Sequence, residues 1–258
     1  MKIDLFSLQV DNLTMAETLA RIDEFIASGK VHHHVVVNVD KIVKAHRDPH
    51  LREIINNCDL VNVDGQPVCW AARLLGKPIK ERVAGIDLMQ RLIQHAAASG
   101  YRLYFLGARQ EVVSELVKRI GAQYPKAIIA GWRNGYWNDA EEGGVADAIA
   151  AARPEILFVA ISSPKKERFL ARWKNKIQAP FVMGVGGSFD VLAGKVKRAP
   201  LWMQRHGLEW LFRLIQEPRR MWRRYLVEDL IFFVLLFQEK IRLRRPSRNE
   251  PTDVPRSP

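Results

Sequence analysis

The chain has 258 residues, 48% of them hydrophobic, which supports a sizeable folded core and argues against disorder as the default state. Its formal net charge of +12 points to a polyanionic partner: nucleic acid, an anionic membrane or a phosphorylated substrate. Cys58 and Cys69 are the only cysteines and form no CxxC motif, which excludes a disulfide scaffold and predicts free thiols in a reducing compartment.

In chain order, the N-terminal MKIDLFSLQVDNLT has no apolar run of signal-peptide length, so a cytoplasmic protein is expected. Thr14-x-x-Glu17 is a capping-box signature, and Met15, Leu19, Ile22 and Ile26 follow at helical spacing, predicting a helix over 14–28. Short β-branched or apolar runs predict strands at 34–38, 60–63, 101–106, 127–130, 156–161 and 181–185. Helical patterns lie between most of them, at 40–47, 86–98, 109–122, 139–152 and 164–176. Strand and helix alternating in this way predict an α/β fold with a largely parallel sheet and no internal repeat.

The alternation stops near Ala199-Pro200. Beyond it, Arg205, Arg213, Arg219, Arg220, Arg223 and Arg224 sit among Trp202, Trp210, Phe212, Trp222 and Tyr225. Arginine beside large aromatics suits a surface that meets anions at an apolar boundary, and equally a solvated basic face on a helix pair. Pro218 predicts two helices here, over 201–216 and 218–240. Leu226, Leu230, Phe233, Val234 and Phe237 make an apolar stripe. The longest apolar run, Leu230–Phe237, is far short of the ~20 residues of a membrane span. Three segments follow: a core over 1–199, a helical appendage over 200–243, and a Pro/Arg/Ser-rich tail over 244–258 predicted to be disordered.

Ligands of open α/β sheets bind outside the carboxyl ends of the strands. Here those ends carry Asn38, Asp64-Gly65, Gly107, Ser162-Ser163-Pro164 and Gly184-Val185-Gly186-Gly187. Asp64 is placed to take a proton from an acceptor hydroxyl, or to cap a helix starting near Pro67. Pro164 fits a first helical turn whose free amides would hold a phosphate. Arg82 and Asp87 flank Gly85 as an anion ligand and a helix cap, or as a surface ion pair. His32, His33 and His34 are adjacent on an extended segment and point to alternate faces, a poor arrangement for chelation. No Asp-x-Asp, Walker loop, HExxH or GxSxG occurs, so no metal or other cofactor is expected.

NVDKIVKA, NVDGQPV, RVAGIDL, the Ser163–Glu167 segment, GVGGSFDVLAGKVKRAP and GLEWLFRLIQEPRR together resemble the WecG/TagA/CpsF glycosyltransferases, glycosyltransferase family 26, over roughly residues 3–240. That resemblance implies a Rossmann-like core with helices on both faces and a C-terminal helical appendage that docks on the membrane. It implies an inverting, metal-independent hexosyltransferase of bacterial cell-surface polysaccharide or exopolysaccharide assembly. The donor would be a UDP-sugar and the acceptor a polyprenyl-diphosphate-linked saccharide, met peripherally on the inner face of the cell membrane. By motif, Asp64 matches the catalytic base, and Asn38 and Arg82 match pocket residues near the sugar. Arg213, Arg220 and Arg223 match arginines that reach the diphosphate. Gly135-Tyr136 and Gly186-Gly187 would border the nucleotide, and the strand-end Gly107 is grouped with them. Lys166, where the family often has Gln, and Val36, where it often has Thr, lie by the sugar pocket and leave the donor open between N-acetylmannosamine-type and glucose-type hexoses.

Two alternatives differ in kind. Another nucleotide-dependent Rossmann-type enzyme would call for a glycine fingerprint after the first strand, where Val37-Asn38-Val39-Asp40 stands. A non-catalytic nucleic-acid-binding protein would explain the charge but not the polar strand ends, so no nucleic-acid partner is expected. A homo-oligomer is compatible with the sequence.

Overall fold

The computed structural model of the chain describes residues 2–162, 165–219 and 229–244. Six strands form one sheet: β3 (His32–Val37), β4 (Leu60–Val63), β5 (Arg102–Gly107), β6 (Ile128–Arg133), β7 (Ile156–Ala160) and β8 (Phe181–Gly184). Their order is β4-β3-β8-β7-β5-β6, and every pair is parallel. The expected α/β fold with a parallel sheet is present. A hairpin of β1 (Lys2–Leu5) and β2 (Leu8–Asp11) precedes it, which the sequence pattern did not announce. Its turn residues Phe6 and Ser7 both take positive φ, 55° and 63°. That is the conformation hairpin turns usually assign to Asn-Gly.

Side chains alternate across the sheet with period two. Leu103 and Phe105 of β5 pack under α5 (Gly85–Ser99), α6 (Gln110–Gln123) and α9 (Ser188–Leu192), on the face that also holds α1 (Met15–Ser28). Tyr104 and Leu106 face the other way, under α7 (Glu142–Ala152) and α8 (Lys165–Ile177). Val35 and Val37 of β3 likewise meet α2 (Val39–Arg47), α3 (Pro49–Asn56), α4 (Gln66–Leu74) and the hairpin. Both faces are therefore covered, as an all-parallel sheet requires. The Thr14 capping box on α1 forms as expected: Glu17 N donates to Thr14 Oγ1 and Thr14 N to Glu17 Oε2.

The chain leaves β3 into α2 on one face, and leaves the neighbouring β8 into α9 on the other. Such a switch opens a crevice between the carboxyl ends of two adjacent strands. Asn38 follows β3, and Gly186-Gly187 follow β8.

The segment expected as one helix over 201–216 is two, α10 (Leu201–Arg205) and α11 (Glu209–Gln216). The break is at Gly207, at φ +72° and with any Cβ 2.7 Å from the Gln66 side chain of α4, so only glycine fits this close turn. The last described helix, α12 (Asp229–Arg244), buries Phe232 and Leu235 in the hairpin cluster, with Phe232 5.3 Å from the Phe6 ring. The stripe residues Leu230, Phe233, Val234 and Phe237 are exposed, so the stripe does not pack on the core. Leu226 and the tail from 245 onward lie outside the described residues. Among the described residues, no helix is long and apolar enough to cross a membrane.

Candidate active site

Asp64 is set by β4 and two backbone bonds. Its N–H donates to Val37 O at 2.8 Å, tying it to the end of β3. Its Oδ2 accepts the Gly85 N–H, the first amide of α5, at 3.2 Å. It does not cap α4, as one reading of the sequence expected: the residue before that helix is Gly65, which makes no side-chain cap. A Cβ at Gly85 would stand in ordinary contact with Val36 at 3.5 Å and with Asp64 Oδ2 at 3.6 Å. Burial pushes the Asp64 carboxyl above its ordinary range, against the opposing pull of the Gly85 amide and Arg82, while Glu209 and Asp87 push it further up. A carboxyl so placed is a better proton acceptor than a solvated one.

Around it runs a chain of ion pairs. Arg82 Nη1 lies 2.9 Å from Glu209 Oε2 on α11. Glu209 Oε1 takes Arg198 Nε at 3.3 Å, and Arg198 grips Asp87 of α5 through two bonds of 2.5 and 2.9 Å. Arg82 and Asp87, one option for which was a mutual pair, are thus bonded to different partners. Asp87 holds Arg198 and caps no helix. Sequence reading missed Arg198 and Glu209, although both lie in the motifs KVKRAP and GLEW. The one signal available was the acid Glu209 beside aromatics, Arg198 being one base among several, and their partners are 127 and 111 residues away.

Asn38 starts α2 as its N-cap, its Oδ1 accepting from Lys41 N at 3.0 Å. It borders Gly65, whose Cβ would lie 3.6 Å from Asn38 Cβ. The Lys166 side chain crosses the end of β8, with Nζ 2.8 Å from where a Gly184 Cβ would stand. Asp64, Asn38, Arg82 and Lys166 therefore gather at the ends of β4, β3 and β8, with Val36 beneath Gly85. Arg213 is exposed one helical turn after Glu209, on the same side of α11. Arg220, Arg223, Ser163 and Pro164 lie outside the described residues.

The glycines expected at the nucleotide fall into two groups. Gly107 has φ +126°, and a Cβ would strike Ala160 O at 2.4 Å, so its requirement is close packing between strand ends. Gly135 packs on it, donating to Ala108 O at 2.9 Å, and Tyr136 stands 68% exposed over a shallow hollow of about 450 Å³ with Arg109, Gln110, Glu111 and Asn134. Gly186 and Gly187 are in open space, where a Cβ would meet nothing within 4 Å. A larger cleft of about 860 Å³ shares Arg82, Asp87 and Arg198 with the ion-pair chain but runs outward along α1 and α5, away from Asp64. The cleft adjoins the candidate site at Asp64.

The histidines are structural here. His34 is buried, shares a 3.0 Å hydrogen bond with Asn62, and is pushed down to about 4 by burial. His32 stacks on Phe25 at 4.0 Å. Among the described residues, no group of three or more His, Cys, Asp or Glu side chains is placed to hold a metal ion.

A sequence model of the "Glycosyl transferase WecG/TagA/CpsF family" matches residues 3–246. Three relatives carry the name N-acetylglucosaminyldiphosphoundecaprenol N-acetyl-beta-D-mannosaminyltransferase. The protein of Bacillus spizizenii is 38% identical over 192 residues, 74% of each chain. That of Bacillus subtilis is 35% identical over 204 residues, 79% of this chain and 78% of the relative. That of Staphylococcus aureus strain MW2 is 28% identical over 243 residues, 93% of this chain and 95% of the relative. With the family match spanning nearly the whole length, and Asp64 seated at the mouth of a parallel sheet, this chain belongs to the WecG/TagA/CpsF glycosyltransferase family.

Proposed function

We propose that the protein transfers a hexose from a UDP-sugar to a polyprenyl-diphosphate-linked saccharide, inverting the anomeric centre without a metal, in assembly of a cell-surface polysaccharide or exopolysaccharide. One observation carries the reading: Asp64 stands at the strand-end crevice with its carboxyl raised by burial and only Oδ2 engaged by the protein among the described residues. Oδ1 is left for an acceptor hydroxyl. As that hydroxyl oxygen bonds to the anomeric carbon from the opposite face, its proton passes to Asp64 and the bond from carbon to the UDP oxygen breaks. Negative charge grows on the departing diphosphate, where Arg82, Lys166 and the appendage arginines Arg213, Arg220 and Arg223 would meet it. The relatives' name supports a polyprenyl-diphosphate acceptor bearing N-acetylglucosamine.

The appendage supports action at a membrane. Trp202 and Ile215 on α10 and α11 are exposed, as are Arg205 and Arg213 on the same helices and the stripe on α12. Each Lys or Arg near an anionic surface contributes ~1 kcal/mol. An assay of the full chain with UDP-N-acetylmannosamine, UDP-glucose and other UDP-hexoses, on a lipid-linked acceptor and with EDTA present, tests the reading. One UDP-hexose should give product with inverted anomeric configuration. No transfer from any of them, or transfer that EDTA stops and magnesium or manganese restores, would contradict it.

A further inference from the structure

We propose that Arg82 and Arg198 form a two-guanidinium clamp for a diphosphate, and that Glu209 of α11 keeps this clamp closed until the diphosphate displaces it. One carboxylate bridges the two arginines, Oε2 to Arg82 at 2.9 Å and Oε1 to Arg198 at 3.3 Å. Two oxygens of one anion between two guanidinium groups is also how a diphosphate would be held. Glu209 thus occupies the position of a substrate anion.

The two sides of the bridge are unequally anchored. Arg198 is fixed from the core, because Asp87 holds its two terminal nitrogens and leaves Nε turned to Glu209. It would stay in place if Glu209 left. Glu209 rides on a helix of eight residues, none of them fully buried, so only the partial packing of Leu211, Phe212 and Leu214 and one bond from Gln216 to Lys197 O oppose its withdrawal. The charges follow: Arg82, Arg198, Asp87 and Glu209 sum to zero, and withdrawal of Glu209 leaves a net positive clamp. Arg82, Asp87 and Glu209 also act electrostatically on Asp64, so an anion seated between the arginines would act on that carboxyl. Substrate binding and movement of α11 are then one event.

Only the identity of the diphosphate rests on the glycosyltransferase reading. The test is calorimetric titration of the full chain with inorganic pyrophosphate, UDP and farnesyl diphosphate, comparing wild type, Glu209→Gln and Glu209→Gln/Arg198→Gln. Glu209→Gln removes a competing, partly buried ion pair and should bind pyrophosphate about fivefold more tightly. Adding Arg198→Gln should abolish that gain. A gain with UDP places the donor in the clamp, and one with farnesyl diphosphate places the acceptor there. A gain with pyrophosphate alone upholds the clamp and contradicts the transferase reading. Unchanged or weaker pyrophosphate binding by Glu209→Gln, in a protein whose melting temperature is preserved, overturns the clamp, since a purely positioning Glu209 would give that result.

Discussion

The sheet and the C-terminal helices hold their chemistry in opposite ways. Asp64 and Asn38 project from strands whose neighbours Val61, Val63 and Val37 are nearly solvent-free, so their positions are fixed by close packing. α11 has no fully buried residue, and its ion pairs to the core run from Glu209 to Arg82 and Arg198. α12 combines both styles, with Phe232 and Leu235 in the core and Leu230, Phe233, Val234 and Phe237 in the open. An apolar contact sets a position that is slow and costly to change. Ion pairs that keep part of their surface in solvent are salt-sensitive and exchangeable for another anion. The division would suit an enzyme that keeps the proposed base rigid and moves what covers it.

Phe232 and Phe233 are adjacent and should behave oppositely, which makes them the sharpest way to break this contrast. Phe232→Ala removes a buried ring and should lower unfolding free energy by about 3–5 kcal/mol in a denaturant titration. Equal stability of the variant and wild type would remove α12 from the core. Phe233→Glu/Phe237→Glu should leave folding nearly unchanged yet reduce co-sedimentation with anionic vesicles by tenfold or more, since each buried Phe contributes roughly 1.5–3 kcal/mol. Undiminished vesicle binding would reject the docking stripe.

A smaller effect concerns stability at the base itself. The folded protein binds the Asp64 proton more tightly than the unfolded chain does, because burial raises this carboxyl. Asp64 therefore subtracts stability as pH rises from the ordinary carboxylate range through its raised native value. Asp64→Asn should be at least as stable as wild type at neutral pH, and the difference should vanish in acid. A less stable variant at neutral pH would show that the Gly85 bond outweighs the desolvation.

The strands were legible in the sequence because strands buried on both faces read as continuous β-branched runs, as in His34–Val37 and Ile156–Ala160. Strand ends then exposed Asn38, Asp64 and Gly186 as candidates. The hairpin was not legible, because Phe6-Ser7 gives no turn signal and tertiary packing of Leu5, Leu8 and Val10 enforces the positive φ. The break falls at Gly207, a glycine present in the sequence, but its close approach to Gln66, 141 positions earlier by numbering, is invisible to local pattern. The ion-pair chain needs four residues from three distant segments, so motif reading found Arg82 and Asp87, with a mutual pair as one of two options, but not their partners. Arg198 and Glu209 emerge only when α11 is laid against α5.

The measurement that tests the central claim most directly is single-turnover transfer by Asp64→Asn beside its binding of UDP. Loss of a general base should lower the rate by ~10²–10⁴-fold, roughly 2.7–5.5 kcal/mol of barrier, while UDP affinity stays near wild type. The wild-type rate should also fall in acid, through a pKa above the usual carboxylate range, and the variant should lose that limb. A folded Asp64→Asn protein that turns over at a near-normal rate with an unchanged pH profile would contradict the account.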